Sequence, residues 1–323
     1  MKALYLDGSN GLDVGVDGPA LRVRRPGRAD SQYPLPRVSR VIAVGAVHWQ
    51  PDALTACRRD HKPVAVLDSR GRFVRVLSSA PPQYGLARHL GELLAVPRFR
   101  VRYKRWYRAA ERDEMLAALG RLGTRCQALP PENVWQKICL EQYRRWGVRP
   151  GNCYRYLLGL AAAQIASAFA LMGMPRDSQA WGRQEYRLFC HILRLERWRQ
   201  AVLLEQMLAR RAGQPDRREL TAAFESLSGD RERQIAAWRE RALQEMMGLG
   251  PGQEGLISYQ QPDWKQGSLD MSAVVVRICH GAHNRGNLGR IPIGARGSLR
   301  TSVRIVRAYL QYDRRMHESF GTT

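Results

Sequence analysis

The chain has 323 residues, 44% of them hydrophobic, which suffices for one large or two ordinary domains with real cores. Lys and Arg number 52 against 29 Asp and Glu, a formal charge of +23 that excludes an ordinary near-neutral enzyme surface and requires a polyanionic partner, nucleic acid foremost. No run of eighteen apolar residues occurs. The best candidate, 157–174, carries Gln164, Ser167 and two glycines and reads as a buried helix, so a soluble, cytoplasmic protein without membrane contact is expected.

Almost all the positive charge is Arg, since Lys stands only at positions 2, 62, 104, 137 and 265. Guanidinium forks grip phosphate bidentately and stack on bases. The cysteines at 57, 126, 139, 153, 190 and 279 form no CxxC pair, so neither a disulfide framework nor a zinc ribbon is indicated.

The first eighty residues alternate as short strands between turns, beginning with Ala3-Leu4-Tyr5-Leu6, the turn Asp7-Gly8-Ser9-Asn10-Gly11, a strand over 12–16, the turn Asp17-Gly18-Pro19 and a strand over 20–23. This pattern predicts a β meander. A Pro- and Arg-rich loop follows, then a strand over 38–45, a helix opening at Pro51-Asp52, a buried strand over 63–68, a turn at Ser69-Arg70-Gly71 and a strand over 72–77.

The stretch 78–83 has linker composition, and from Tyr84 the apolar period changes from two to that of a helix. The expected fold is therefore α+β, with a small β-rich domain over 1–80 and a larger, mostly α-helical domain over 84–323. Helices are predicted at 84–122, 132–146, 152–172, 184–211, 217–227, 230–247 and 298–318, with 248–297 read as a loop-rich segment. No repeat is visible.

The densest cationic and aromatic stretch is 97–108. Arg98, Arg102 and Arg105 fall on one side of a helix, able to follow a phosphate backbone, while Tyr103, Trp106 and Tyr107 form a face that reads as core. In the glycine-rich stretch 281–297, Arg285, Arg290 and Arg296 suit a loop laid against DNA. Cys279, His280 and His283 beside Asp270 lack the paired spacing of a zinc site and read as a polar loop. The stretch 250–255 lacks the Gly-Lys-Ser/Thr ending of a phosphate loop, and there is no GxSxG, HExxH or dinucleotide fingerprint.

The ordered series 35–45, then Gln50-Pro51-Asp52-Ala53-Leu54, then 63–72, resembles the β domain of the CRISPR-associated adaptation integrase/endonuclease family. Asn152-Cys153-Tyr154-Arg155-Tyr156-Leu157-Leu158 resembles the start of a helix in the family's helical half, 168–175 its end, and Glu196-Arg197-Trp198-Arg199-Gln200 a later acidic stretch. The resemblance implies a DNA-binding protein of spacer acquisition that handles duplex or branched DNA as a homodimer, with the 1–80 domain contributing dimer contacts and a small ferredoxin-like adaptation subunit as partner.

In that family a divalent metal, Mg²⁺ or Mn²⁺, is held by Glu, His and Asp and assists attack of a DNA 3′-hydroxyl on a phosphodiester. On the same placement the His position falls near Trp181 and the Asp position near Leu193, so two ligands are missing and the metal site reads as degraded. Glu132, with Glu141 as alternative, and His191 are the remaining metal-ligand candidates; no catalytic residue is assigned, and without activity no cofactor is required. One alternative is an active metal-dependent endonuclease/integrase with relocated ligands, Asp177 or Glu185 completing the set. Another is an RNA-binding protein, because charge and stacking do not distinguish the sugars.

Overall fold

The computed structural model describes residues 2–77, 96–125, 129–148, 150–171, 187–210 and 213–247. The expected linker at 78–83, the loop-rich segment 248–297 and the helix at 298–318 lie outside the described residues, as do Arg285, Arg290, Arg296, Asp177, Trp181 and Glu185.

The N-terminal residues form β1 (Lys2–Asp7), β2 (Asp13–Asp17), β3 (Ala20–Arg24), β4 (Ser31–Pro34), β5 (Val38–Val44), β6 (His48–Trp49), helix α1 (Pro51–Arg59), β7 (Val64–Leu67) and β8 (Phe73–Leu77). They make two four-stranded sheets, ordered β1-β5-β7-β8 and β4-β3-β2-β6. The meander expectation holds for β2, β3 and β4, which pair antiparallel in sequence order. It fails for β1, which leaves its neighbour and pairs parallel with β5, Leu4 beside Val41 and Leu6 beside Ala43. Periodicity identifies a strand but not its partner; here the gain lies in burial, because Leu6 at the first sheet's edge is fully covered.

The first sheet has cores on both faces. Leu4, Leu6, Val38, Val41 and Val64 pack with Leu12, Val14, Leu21 and Val23 of the second sheet and with Ala53, Ala56 and Cys57 of α1. Ile42, Val44, Ala65, Leu67, Phe73 and Val76 belong instead to the core built by the helices. That double coverage explains why β5 reads as an apolar run rather than an alternation.

The helices are α2 (Pro97–Leu122), α3 (Pro131–Trp146), α4 (Gly151–Leu171), α5 (Arg187–Ala209), α6 (Arg217–Ser226) and α7 (Ser228–Met247). Both α2 and α3 open on proline, whose missing N–H costs nothing at a helix start, and stop at Gly123 and Gly147, each left-handed. The apolar stretch of α4 is buried from Leu157 through Phe169 except at the half-buried Leu158 and Ala168, as its sequence predicts. Gly159 lets α4 lie directly on the β7–β8 turn: a Cβ there would meet the Gly71 carbonyl oxygen at 1.8 Å.

A buried polar network crosses this core. Arg231 of α7, 2% exposed, donates Nε to Glu196 of α5 at 2.7 Å, Nη1 to the Phe224 carbonyl at 3.0 Å and to Gln164 Oε1 of α4 at 3.3 Å, and lies 3.6 Å over the Phe224 ring. Gln164 reaches Glu232, Glu232 accepts from Arg40 of β5, and Arg40 also donates to Glu225, which accepts from the Tyr5 hydroxyl. Sheet and helices are thus stitched by charge as well as by apolar contact.

Removing one member of a buried pair strands the other. Arg231→Ala is expected to lower unfolding stability by about 3–5 kcal/mol in urea titrations, while Arg231→Met combined with Glu196→Gln loses clearly less.

Candidate nucleic-acid interface and metal-ligand positions

Helix α2 separates two chemistries. Tyr103, Trp106, Tyr107, Glu111, Met115, Ala118 and Leu119 are buried at helical spacing, which turns the other side outward. On it Arg98, Arg102 and Arg105 are exposed, together with Lys104, Arg108 and Arg112. Over 26 residues the helix is about 39 Å long, so this row of cations can span several phosphates. The three aromatics belong to the core, as the sequence indicates.

His191 of α5 sits against that buried face. Its Nδ1 lies 2.6 Å from the Tyr103 hydroxyl, and its ring stacks on Tyr107 with centroids 3.9 Å apart. Burial, then the neighbouring Glu111, pushes the Tyr107 phenol well above its ordinary pKa. His191 is therefore held between two phenols in an aromatic cluster.

Glu132, in the first turn of α3, is one-third exposed and lies 3.9 Å from Nη2 of Arg197. The same nitrogen is 3.1 Å from Oε1 of the buried Glu111. Arg197 is itself flanked by Trp198 and Trp135, its guanidinium carbon 4.7 and 5.6 Å from the two rings. One guanidinium thus binds two carboxylates from two other helices. Six residues, about 9 Å of helix axis, separate it from His191.

Glu141 is elsewhere: it accepts from Thr124 at 3.1 Å and lies 3.8 Å from Lys137. Leu193 packs against the main core. Among the described residues no group of three or more His, Cys, Asp or Glu side chains is placed to hold a metal ion.

Sequence reading missed Glu111 and Arg231, which look like ordinary solvated charges in α2 and α7. It treated Glu196 as part of an acidic stretch, whereas the side chain is fully buried, and burial raises its carboxyl pKa against the opposing pull of Arg231 and Arg199. The available signal was position: Glu111 follows Tyr107 by four residues, on the face already assigned to the core.

Residues 4–125 match the family described as CRISPR associated protein Cas1. A Cas1 protein from Thermotoga maritima superposes with a TM-score of 0.57 at 12% identity, over 76% of this chain and 96% of that one. The chain has the Cas1 fold. A casposase bound to integration product aligns at a TM-score of 0.48 and 14% identity, over 86% of this chain and 98% of the other. No curated protein sequence matches. The Cas1 fold sets a strand-rich region of two small sheets before a mostly helical one, which is the α+β order that the sequence predicts. Among the described residues no helix is long and apolar enough to cross a membrane.

The two carboxylates on Arg197 differ in weight. Glu111→Ala leaves a buried guanidinium short of its 3.1 Å partner and is expected to cost about 2–4 kcal/mol in urea unfolding. Glu132→Ala, at 3.9 Å and one-third exposed, is expected to cost less than about 1 kcal/mol.

Proposed function

We propose that this Cas1 relative binds duplex or branched DNA in CRISPR spacer acquisition and that its Glu132 and His191 do not form a catalytic metal site. The observation that carries the DNA half is the α2 surface, a row of exposed Arg and Lys side chains fixed in place because the opposite face is buried aromatic core. With +23 net charge behind it, that row is set against a phosphate backbone. Arg285, Arg290 and Arg296 are further phosphate contacts in this reading, on the strength of the sequence alone. The protein acts as a homodimer through residues 1–80, and the small ferredoxin-like adaptation subunit is its partner.

The metal half rests on the Arg197 guanidinium. Cas1 proteins depend on a divalent metal, but here Glu132 already neighbours a cation that is also bound to Glu111, and His191 Nδ1 is engaged by the Tyr103 hydroxyl. A divalent ion requires several free oxygen ligands, and a fixed positive charge among them opposes it. The residues do not fit the ion, so Mg²⁺ or Mn²⁺ has no role in this reading.

Contact with about six phosphates gives a slope of roughly −5 in log K against log salt, and replacing Arg98, Arg102 and Arg105 with Ala should flatten it to roughly −3 while weakening all sequences alike. An unchanged slope would place the DNA surface elsewhere. An RNA duplex that displaces DNA of equal length would favour the RNA reading.

Strand transfer separates the enzyme alternative. With Mg²⁺ or Mn²⁺ the purified protein is expected to cut and join branched DNA no faster than a metal-free control. Joining by the wild type that Glu132→Ala or His191→Ala abolishes, with binding intact, would establish the relocated-ligand enzyme instead.

A further inference from the structure

Away from α2 and from Glu132, three guanidiniums meet at one recess. Arg70 of the β7–β8 turn, Arg155 of the first turns of α4 and Arg217 at the start of α6 line a cavity of about 390 Å³, together with Asn152, Tyr156 and Asp216. That is within the size range of small-ligand pockets. The charge in it is unbalanced. Arg155 donates Nη1 to the Asn152 side-chain oxygen at 3.2 Å; Arg217 donates Nη2 to the Ser69 carbonyl and lies 5.7 Å over the Tyr156 ring. These partners are neutral, and among the described residues none of the three guanidiniums is ion-paired.

Asp216, the acidic residue in the lining, is committed to α6: its side chain accepts the Glu219 N–H at 2.8 Å and closes a capping box. Helix α4 has no acidic residue in its first turn, so its N-terminal N–H groups add to the positive potential.

The recess is also held in shape. Asp68 accepts the backbone N–H groups of Arg70 and Arg72 at 2.9 and 2.8 Å and the Arg72 guanidinium at 2.6 Å, fixing the turn. Burial works against the charge on Asp68, but these donors outweigh it and hold the carboxyl below its usual range. Gly71 turns with φ of +80° against Tyr156, where a Cβ would come within 2.6 Å of the ring. The turn carrying Arg70 is therefore fitted to the helix carrying Arg155.

We propose that this recess seats the 5′-terminal phosphate of a DNA strand. A terminal phosphate carries about −1.5 to −2 charge and three exposed oxygens, whereas an internal diester carries one charge and passes through on both sides. Three guanidiniums that have neutral partners or none, and no ion pair among the described residues, suit the former, and the remaining volume admits the attached nucleoside. The phosphate chemistry stands on the recess itself; the choice of DNA as its bearer rests on the function proposed above.

Two measurements on the full-length protein test this, each comparing wild type with Arg70→Gln/Arg155→Gln, whose replaced side chains are exposed. In thermal unfolding, millimolar deoxyadenosine 5′-monophosphate should raise the wild-type Tm where deoxyadenosine does not, and the double variant should lose the shift. In fluorescence anisotropy, a 5′-phosphorylated single strand should bind wild type about tenfold more tightly than the 5′-hydroxyl strand, with equal affinities in the variant. Arg98→Ala/Arg102→Ala/Arg105→Ala should weaken both strands equally and keep the preference.

Absence of both the nucleotide shift and the 5′ preference overturns the site, whether or not DNA binds. A preference that survives in the double variant also overturns it. A nucleotide shift without 5′ preference reassigns the recess to a free nucleotide, and a shift in a protein that binds no DNA rejects the DNA reading while the phosphate site stands.

Discussion

The arrangement of the helices depends on one buried cation. Arg231 is 2% exposed and its carboxylate partner Glu196 is fully buried, so neither charge has water to fall back on. Desolvation of such a pair costs several kcal/mol per ion unless the geometry is good and the remaining donors are satisfied. Here Nε goes to Glu196, Nη1 to Gln164 and the Phe224 carbonyl, and the guanidinium face rests on the Phe224 ring. These contacts fix α4, α5, α6 and α7 against one another, and through Gln164, Glu232 and Arg40 the same network reaches the first sheet. The positions of Arg217 and Tyr156 in the recess follow from it.

Helix α5 carries two consecutive charges that face different neighbours. Successive helical residues point about 100° apart, so Glu196 turns to Arg231 and Arg197 turns to Glu111 and Glu132. The first meets a cation in the core and the second supplies one between two acids. Arg197 thereby ties α2 and α3 to α5 by charge in addition to their shared apolar core, and its flanking tryptophans shield it from solvent. In the proposed reading that fixed guanidinium makes the two acids structural, and the outer row on α2 is left to meet DNA.

Much of this was legible in the sequence because it depends on period. The apolar run of β5 and the helical face Tyr103-Trp106-Tyr107 follow from spacing, and the predicted helix ends at 122 and 146 agree with the glycine stops of α2 and α3, whereas the start of α2 at Pro97 after an extended Val96 falls inside the helix predicted over 84–122. The partner of β1 was not legible, since parallel pairing with a strand more than thirty residues later leaves no local trace. Pairing of charges was equally hidden. Arg231 and Glu196 are 35 positions apart, and Arg40 and Glu225 are 185 apart. Arg70 and Arg155 could be read as a turn residue and a helix-start residue, but that they share a recess with Arg217 emerges only once Gly159 lets the helix touch the turn.

The most direct test of the central claim is a Mn²⁺ titration of the purified protein followed by electron paramagnetic resonance, with and without DNA. If Arg197 fills the cationic role between Glu111 and Glu132, the wild type holds no stoichiometric Mn²⁺ at micromolar concentration, and Arg197→Leu gains a site that Glu111→Gln removes again. One tightly held Mn²⁺ per chain in the wild type, lost in Glu132→Ala or His191→Ala, would contradict it.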